Sequence, residues 1–133
     1  MKRLLVITLL FALAIPIHTN AEDLKKIRCT CYCEAGTTAS GFYTREGIIA
    51  GRREDLGKVA AIYKCNDNKP GDFLGYYEFR DTGAGIDTDG DGKGDSIKKG
   101  LSVDVFRSSK QRAKDWIADN GDYVFIQLIE ADG

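Results

Sequence analysis

The chain has 133 residues, of which 19 are basic and 20 are acidic, and its single histidine is His18. This nearly balanced charge does not predict a phosphate-binding surface, so nucleic acid is not an expected partner. Outside the leader described next there is no histidine, which excludes mechanisms built on a histidine base and zinc sites that contain histidine. General acid and base chemistry would then fall to carboxylates, lysine, tyrosine or cysteine.

The first 21 residues have the pattern of a secretory signal peptide. Two basic residues precede an apolar run over 4–17, and Thr19 and Ala21 are small residues at the two positions that a signal peptidase reads. The run is short for a transmembrane helix, which needs about 20 apolar residues. We therefore predict cleavage after Ala21 and a single secreted or cell-wall-associated domain, residues 22–133, without stable membrane insertion. An uncleaved membrane anchor is the alternative.

Four cysteines, Cys29, Cys31, Cys33 and Cys65, are an even number in an exported chain and favour a disulfide. The first three would share one face of a strand, because side chains repeat every second residue. One of them is expected to pair with Cys65, and the remaining two are either free or paired with each other. A four-cysteine metal site is the alternative, but the spacing lacks the two-residue gap of a zinc knuckle.

Most of the remaining chain is predicted to be β-strand. The β-rich runs cover residues 27–33, 47–51, 58–65, 73–79, 101–106 and 123–129. The turn formers in 66–71 predict that the third and fourth runs form a hairpin. In the fifth run, alternation places Asp104 on the face opposite Val103 and Val105. Many short strands with a single helix are typical of a small β-barrel.

One helix is predicted near the end of the chain. Ser108 and Gln111 have the spacing of a capping box, an apolar stripe includes Trp116 and Ile117, and Gly121 supplies the stop. We interpret Trp116 as a core residue of this helix, with stacking against a sugar as the alternative.

The segment from residue 87 to residue 95 resembles the short aspartate-rich calcium loops of bacterial extracellular proteins. Four carboxylates fall at positions 1, 3, 5 and 9 of such a loop, with a backbone carbonyl at position 7; these residues are Asp87, Asp89, Asp91, Asp95 and Lys93. Because the carboxylates would repel one another without a cation, the loop predicts a structural Ca²⁺. No organic cofactor is expected, and a solvated acidic loop is the alternative.

Six short motifs occur in the order in which they stand in the 3D domain, a module named for three aspartates. They are Thr30-x-Tyr32, Gly36-Thr37-Thr38-Ala39-Ser40-Gly41, Ile48-Ile49-Ala50, Leu56-Gly57-Lys58, Asp81-Thr82-Gly83, and Lys99-Gly100 leading to Val103-Asp104-Val105-Phe106. The chain resembles this family over roughly residues 29 to 130. The family includes the catalytic part of membrane-bound lytic transglycosylase A and small exported proteins related to stationary-phase survival factors. The resemblance implies a six-stranded double-psi β-barrel.

The resemblance also implies a muralytic enzyme that cleaves peptidoglycan between N-acetylmuramic acid and N-acetylglucosamine. Asp104 matches the catalytic acid of the family, and Asp81 matches a second aspartate that would orient Asp104 and the sugar. The implied substrate-binding positions are Tyr32, Thr38, Ser40, Gly41, Thr82, Gly83 and Lys99. The glycan strands of peptidoglycan are the expected partner, and we expect a monomer.

The third aspartate of the family is not matched. Arg52 stands at its place after the Ile-Ala dipeptide, and Asp55 or Glu54 would align only after a local shift. This departure favours a non-catalytic glycan-binding module on the same barrel as the alternative to an enzyme. An inhibitor or toxin-like secreted factor, stabilised by the predicted disulfide and calcium, is a further alternative.

Overall fold

A computed structural model describes residues 24–129, so the predicted signal peptide lies outside the described residues. The elements in chain order are β1 Lys25–Tyr32, β2 Ile48–Ala50, β3 Val59–Asn66, β4 Lys69–Asp81, β5 Ser102–Phe106, α1 Lys110–Asn120 and β6 Tyr123–Ile129. A single 3-10 turn at Arg53–Asp55 follows β2. The prediction of a mainly β chain with one helix is confirmed. Within the described range, no helix is both long enough and apolar enough to cross a membrane.

The six strands form one sheet that closes on itself in the order β1, β5, β2, β4, β3, β6. β1 pairs with β5 in parallel and with β6 in antiparallel orientation, and β2 pairs in parallel with β4. β3 and β4 form the predicted antiparallel hairpin. In this order β1, β5, β2 and β4 are neighbours in the sheet, although they are distant in the sequence.

The core fills the interior of the closed sheet because alternate strand residues point inward. Val103 and Val105 of β5 and Ile49 of β2 are almost fully buried, as are Val124 of β6 and Ile62 of β3. Removing a side chain of this size from water is worth about 1.5–3 kcal/mol. The branched residues of these short strands therefore provide most of the drive to close the sheet.

The helix α1 packs against the core through Trp116, which is 7% exposed and meets the Tyr77 ring edge-on at 5.8 Å between centroids. The interpretation of Trp116 as a core residue is confirmed. So little of this ring is exposed that it offers no face for a sugar.

The predicted start of α1 is wrong by one residue. Ser109 is the N-cap, and its hydroxyl accepts a hydrogen bond from the Arg112 amide at 3.1 Å. The Ser108 amide instead donates to the carboxylate of Glu46, on the loop between β1 and β2. The helix ends as predicted, since Gly121 adopts φ of 75° and its amide donates to the Ile117 carbonyl at 2.8 Å.

The predicted disulfide to Cys65 is absent, because all four cysteines are free in the structure. β6 lies between β1, which carries Cys29 and Cys31, and β3, which carries Cys65. Two strand spacings amount to about 10 Å, which exceeds the Cα separation of about 7 Å that a disulfide can span. Cys29 is instead part of the core, and burial raises the pKa of its thiol strongly.

Candidate functional site

A lateral row of four residues crosses four neighbouring strands. Thr30 of β1 faces Asp104 of β5, Asp104 faces Ala50 of β2, and Ala50 faces Asp81 of β4. Because Val103 and Val105 point into the core, Asp104 points to the outer face, as predicted. The two aspartates are separated by one strand, which corresponds to about 10 Å between their Cα atoms.

A bulge in β4 brings Asp81 to this face. Tyr77 and Phe79 point into the core, so strict alternation would also turn Asp81 inward. In the pairing with β2, however, Ile49 faces Phe79 and the next residue, Ala50, faces Asp81, so that Arg80 is the extra residue. Bulges re-aim side chains in this way next to functional sites.

The carboxylate of Asp81 is held by three donors. Its Oδ1 accepts hydrogen bonds from the amides of Ala39 at 3.0 Å and Thr82 at 2.9 Å, and its Oδ2 accepts one from the Tyr32 hydroxyl at 3.1 Å. Burial, with the added charge of Asp81, raises the pKa of Tyr32, so this hydroxyl remains a donor at neutral pH. Asp81 is therefore fixed in position. Tyr32, predicted to bind substrate, is one of the groups that fix it.

The carboxyl of Asp104 lies in a less polar setting. It is partly buried, and one hydrogen bond from the Thr30 hydroxyl reaches its Oδ1 at 2.9 Å. Burial raises the pKa of Asp104 to about 6; the hydrogen bond from Thr30 opposes this shift, and the negative charges of Glu34 and Asp81 add to it. A carboxyl with this pKa is protonated in about half of the molecules at pH 6 and in about a tenth at pH 7, far more than an ordinary aspartate, and a general acid needs such a proton.

Glu34 is a carboxylate of this region that the sequence analysis did not single out. It stands two residues after the end of β1, its Oε2 accepts a hydrogen bond from the Cys33 amide at 3.2 Å, and its charge raises the pKa of Asp104. The signal available in the sequence was an acidic residue two positions beyond Tyr32, on the strand that faces Asp104. The region therefore includes a third carboxylate, which lies in the loop just after β1.

The loop between β1 and β2 is fastened to β4 by two of the predicted substrate-binding residues. Thr38 is 5% exposed, and its hydroxyl accepts from the Phe42 amide at 3.2 Å and lies 3.2 Å from the Ser40 hydroxyl. The Ser40 hydroxyl donates to the Arg80 carbonyl at 2.7 Å, and Gly41 turns the chain with φ of 89°. These contacts hold the Ala39 amide against Asp81. Sugar binding by Thr38, Ser40 and Gly41 stays a prediction.

The loop between β4 and β5 is anchored at its two ends. The Ser96 hydroxyl is buried, accepts from the Ile86 amide at 2.8 Å and lies 2.7 Å from the Ser102 hydroxyl. Ile97 is also buried, and a Cβ on Gly83 would lie 3.1 Å from its Cδ1. The start of this loop, Thr82 and Gly83, thus packs beside Asp81, and sugar binding by these two residues also stays a prediction.

The same loop gathers three of the four carboxylates that were predicted to bind calcium. Carboxylate oxygens of Asp87, Asp89 and Asp95 lie within 4.8 Å of one another. Asp91 is not in this group, and its Oδ1 accepts from the Lys93 amide at 2.8 Å. Clustered carboxylate oxygens are the ligands that Ca²⁺ prefers, so the three residues fit a hard cation.

Lys99 supplies the counter-charge of this cluster in the structure. Its ammonium lies 2.7 Å from Asp95 and 3.5 Å from Asp89. The hydrogen bond to Lys99 is the main reason why the pKa of Asp95 lies far below its ordinary value. Lys99 was predicted to bind substrate, and the structure places its ammonium on the acidic loop.

The residues at the place where the resembled family has its third aspartate form an ion-pair cluster. Asp55 is 5% exposed, and its carboxylate accepts hydrogen bonds from Arg52 at 2.9 Å and from Lys58 at 3.2 Å. Although burial opposes ionisation, these bonds lower the pKa of Asp55. Glu54 is exposed and lies 3.8 Å from the Arg52 guanidinium. Neither carboxylate takes part in the hydrogen bonds that hold Asp81 and Asp104.

Comparison with known proteins adds no relative. No family model, curated protein or solved structure matches the chain. Support for a function therefore comes from the order of the motifs and from the geometry of the two aspartates.

Proposed function

We propose that the protein is an exported peptidoglycan-cleaving enzyme, a lytic transglycosylase that acts on the bond between N-acetylmuramic acid and N-acetylglucosamine. The observation that carries the proposal is the carboxyl of Asp104, whose pKa is raised to about 6 on the same face as the firmly held Asp81. The pairing order supports the finer assignment of the closed sheet as a double-psi barrel. The proposed location is secreted or cell-wall-associated.

In this mechanism one carboxyl acts twice. Asp104 donates its proton to the glycosidic oxygen, which leaves with the departing sugar. The resulting carboxylate takes the proton of the muramic C6 hydroxyl, and the C6 oxygen closes an internal 1,6-anhydro ring at C1. No water is consumed, so the site does not need the nucleophile and acid of a retaining hydrolase.

Asp81 supports this chemistry without exchanging a proton. Three donors fix its position, so its negative charge is preorganised to favour the positive charge that develops on the sugar ring. Together with Glu34 it also favours the protonated form of Asp104 before reaction.

The acidic loop is proposed to bind a structural Ca²⁺. Asp87, Asp89 and Asp95 would hold it, and the ion would neutralise their mutual repulsion. Because the loop connects β4 to β5, its order bears on how firmly the two aspartates are held. The chemistry on the sugar is assigned to the carboxyl groups alone.

Digestion of purified peptidoglycan, followed by mass spectrometry of the soluble products, tests the proposed activity. The wild-type protein should release 1,6-anhydro muropeptides, and Asp104→Asn should lower their yield by at least about 100-fold, as expected for the loss of a general acid. Asp72→Asn is the matched control, because it makes the same chemical change at an exposed position of β4. Release by Asp104→Asn at the wild-type rate would contradict the proposal.

A non-catalytic glycan-binding module is the second candidate. It is favoured by the Arg52 and Asp55 pair, which occupies the place of the third aspartate of the family. A wild-type protein that sediments with peptidoglycan sacculi but releases no product would support this function over the first.

A further inference from the structure

Three aromatic side chains form a continuous strip on the hairpin of β3 and β4, at a distance from the aspartate pair. The ring centroids of Tyr63 and Phe73 are 5.3 Å apart, and those of Phe73 and Tyr76 are 5.0 Å apart. Phe73 is 48% exposed and Tyr76 is 61% exposed. These three residues are called the aromatic strip below.

The strip lies on the outer face of the sheet. Tyr63 pairs with Phe73 across the two strands, and Tyr76 pairs with Ala61. The neighbouring residues Ile62 and Tyr77 belong to the core cluster, so the strip residues point the other way. Adjacent exposed rings, in contrast to single ones, indicate a surface that another molecule covers.

The strip is continuous with the face that carries Asp81. Tyr76 precedes Asp81 by five residues on β4, which corresponds to about 16 Å along the strand. The bulge at Arg80 turns Asp81 to the same outer face. Beside it, the Arg80 guanidinium lies over the Phe42 ring at 4.2 Å, and Phe42 is 48% exposed. Exposed aromatic rings therefore stand on β4 itself, at Phe73 and Tyr76, and beside its end, at Phe42 of the loop between β1 and β2.

We propose that the aromatic strip binds a polysaccharide chain at sugar units distant from the bond that is cut. Sugar rings present flat faces of C–H groups that pack against aromatic rings, and tyrosine adds a hydroxyl that can hydrogen-bond to them. A polymer that lies on the aspartate pair and follows β4 reaches Tyr76 and then Phe73. The inference rests on the proposed function, because the occupant is taken to be the same glycan.

Binding of purified sacculi tests the strip independently of cleavage. The assay uses the Asp104→Asn protein as the parent, so that the sacculi stay intact, and compares it with the same protein carrying Phe73→Ser and Tyr76→Ser. Loss of two aromatic contacts should weaken binding on the order of ten-fold. Phe73→Tyr with Tyr76→Phe keeps both rings and should preserve binding. Tyr123→Ser removes an exposed tyrosine from β6 and should also leave binding unchanged.

Circular dichroism and thermal unfolding of each variant establish that it is folded before binding is compared. Equal binding by the folded serine variant and its parent overturns the inference, whatever the wild-type protein does to peptidoglycan. Concentration-dependent self-association that the serine substitutions abolish would overturn it as well, because the occupant would then be a second copy. Failure of the wild-type protein to release anhydro products, with binding still reduced by the serine substitutions, rejects the enzyme and supports the strip.

Discussion

Two aspartates on one face of a sheet acquire different properties from their surroundings. Asp81 receives three hydrogen bonds and is fixed as an acceptor. Asp104 receives a single one, from Thr30, and burial outweighs that bond, so its pKa rises to about 6. The number of hydrogen-bond donors and the degree of burial therefore account for the different properties on which the proposed roles of the two aspartates rest.

The raised pKa of Asp104 predicts a pH-dependent stability. Above about pH 6 the carboxyl is charged in both states, and folding must desolvate that charge; as the pH falls toward 4 the folded state binds the proton first and gains stability. Asp104→Asn should therefore raise the free energy of unfolding by roughly 1–3 kcal/mol at about pH 8, after allowance for partial exposure, and by little at about pH 4.

Urea unfolding at both pH values measures this difference. Asp72→Asn, at an exposed position, should change the stability by the same small amount at each pH. A stabilisation by Asp104→Asn that does not depend on pH would contradict the raised pKa.

At the scale of elements, alternation of apolar residues predicted the strands well and their irregularities poorly. The buried face of β5 follows directly from Val103 and Val105. The bulge at Arg80 does not, because it arises from the pairing of β4 with β2, and pairing between distant segments is not encoded in local periodicity. The start of α1 was misplaced because Ser108 and Ser109 are both competent caps, and the Glu46 carboxylate takes the Ser108 amide.

The loop between β4 and β5 is anchored at its ends. A methyl group added to a glycine there should therefore destabilise the fold more than one added to a glycine in the exposed middle of the loop. At Gly85, φ is 77°, and a Cβ would lie 2.1 Å from the Ser96 Oγ and 3.0 Å from Ile97. Gly85→Ala should therefore lower the free energy of unfolding by about 2–4 kcal/mol, from the left-handed conformation together with the steric clash.

Gly90→Ala is the matched control for this substitution. Gly90 has a similar φ of 80° but no heavy atom within 4 Å of the added Cβ, so only the conformational cost of about 1–2 kcal/mol is expected. Urea unfolding of both variants measures the difference. Equal costs would mean that Ser96 and Ile97 do not anchor the loop.

At the scale of the whole molecule, closure of the sheet decides which sequence motifs meet. Asp81 and Asp104 come together because β2 pairs with both β4 and β5, and the motifs that carry them were recognisable in the sequence. The ion pairs of Asp55 were not recognisable in the sequence, because local spacing does not reveal that Arg52 and Lys58 converge on it. Cysteine spacing also does not reveal that β6 lies between β1 and β3. This separation rules out a disulfide from Cys29 or Cys31 to Cys65.

The proposed Ca²⁺ site predicts a competition with Lys99. Calcium should raise the midpoint of thermal unfolding, because a ligand that binds only the folded state stabilises it. Lys99→Gln removes the ammonium that lies against Asp95 and Asp89 and should tighten calcium binding. Isothermal titration calorimetry measures the affinity, with Lys98→Gln as a control at an exposed neighbouring position. Absence of calcium binding in both variants and in the wild-type protein would reject the site.

In the proposed reaction, Asp104 promotes closure of an internal ring in the sugar without water. Digestion of peptidoglycan in ¹⁸O-labelled water, with mass spectrometry of the released muropeptides, tests this chemistry most directly. The wild-type protein should release 1,6-anhydro products without label, and Asp104→Asn should not release them. Labelled reducing ends, which report hydrolysis, or the absence of any product from the wild-type protein, would contradict it.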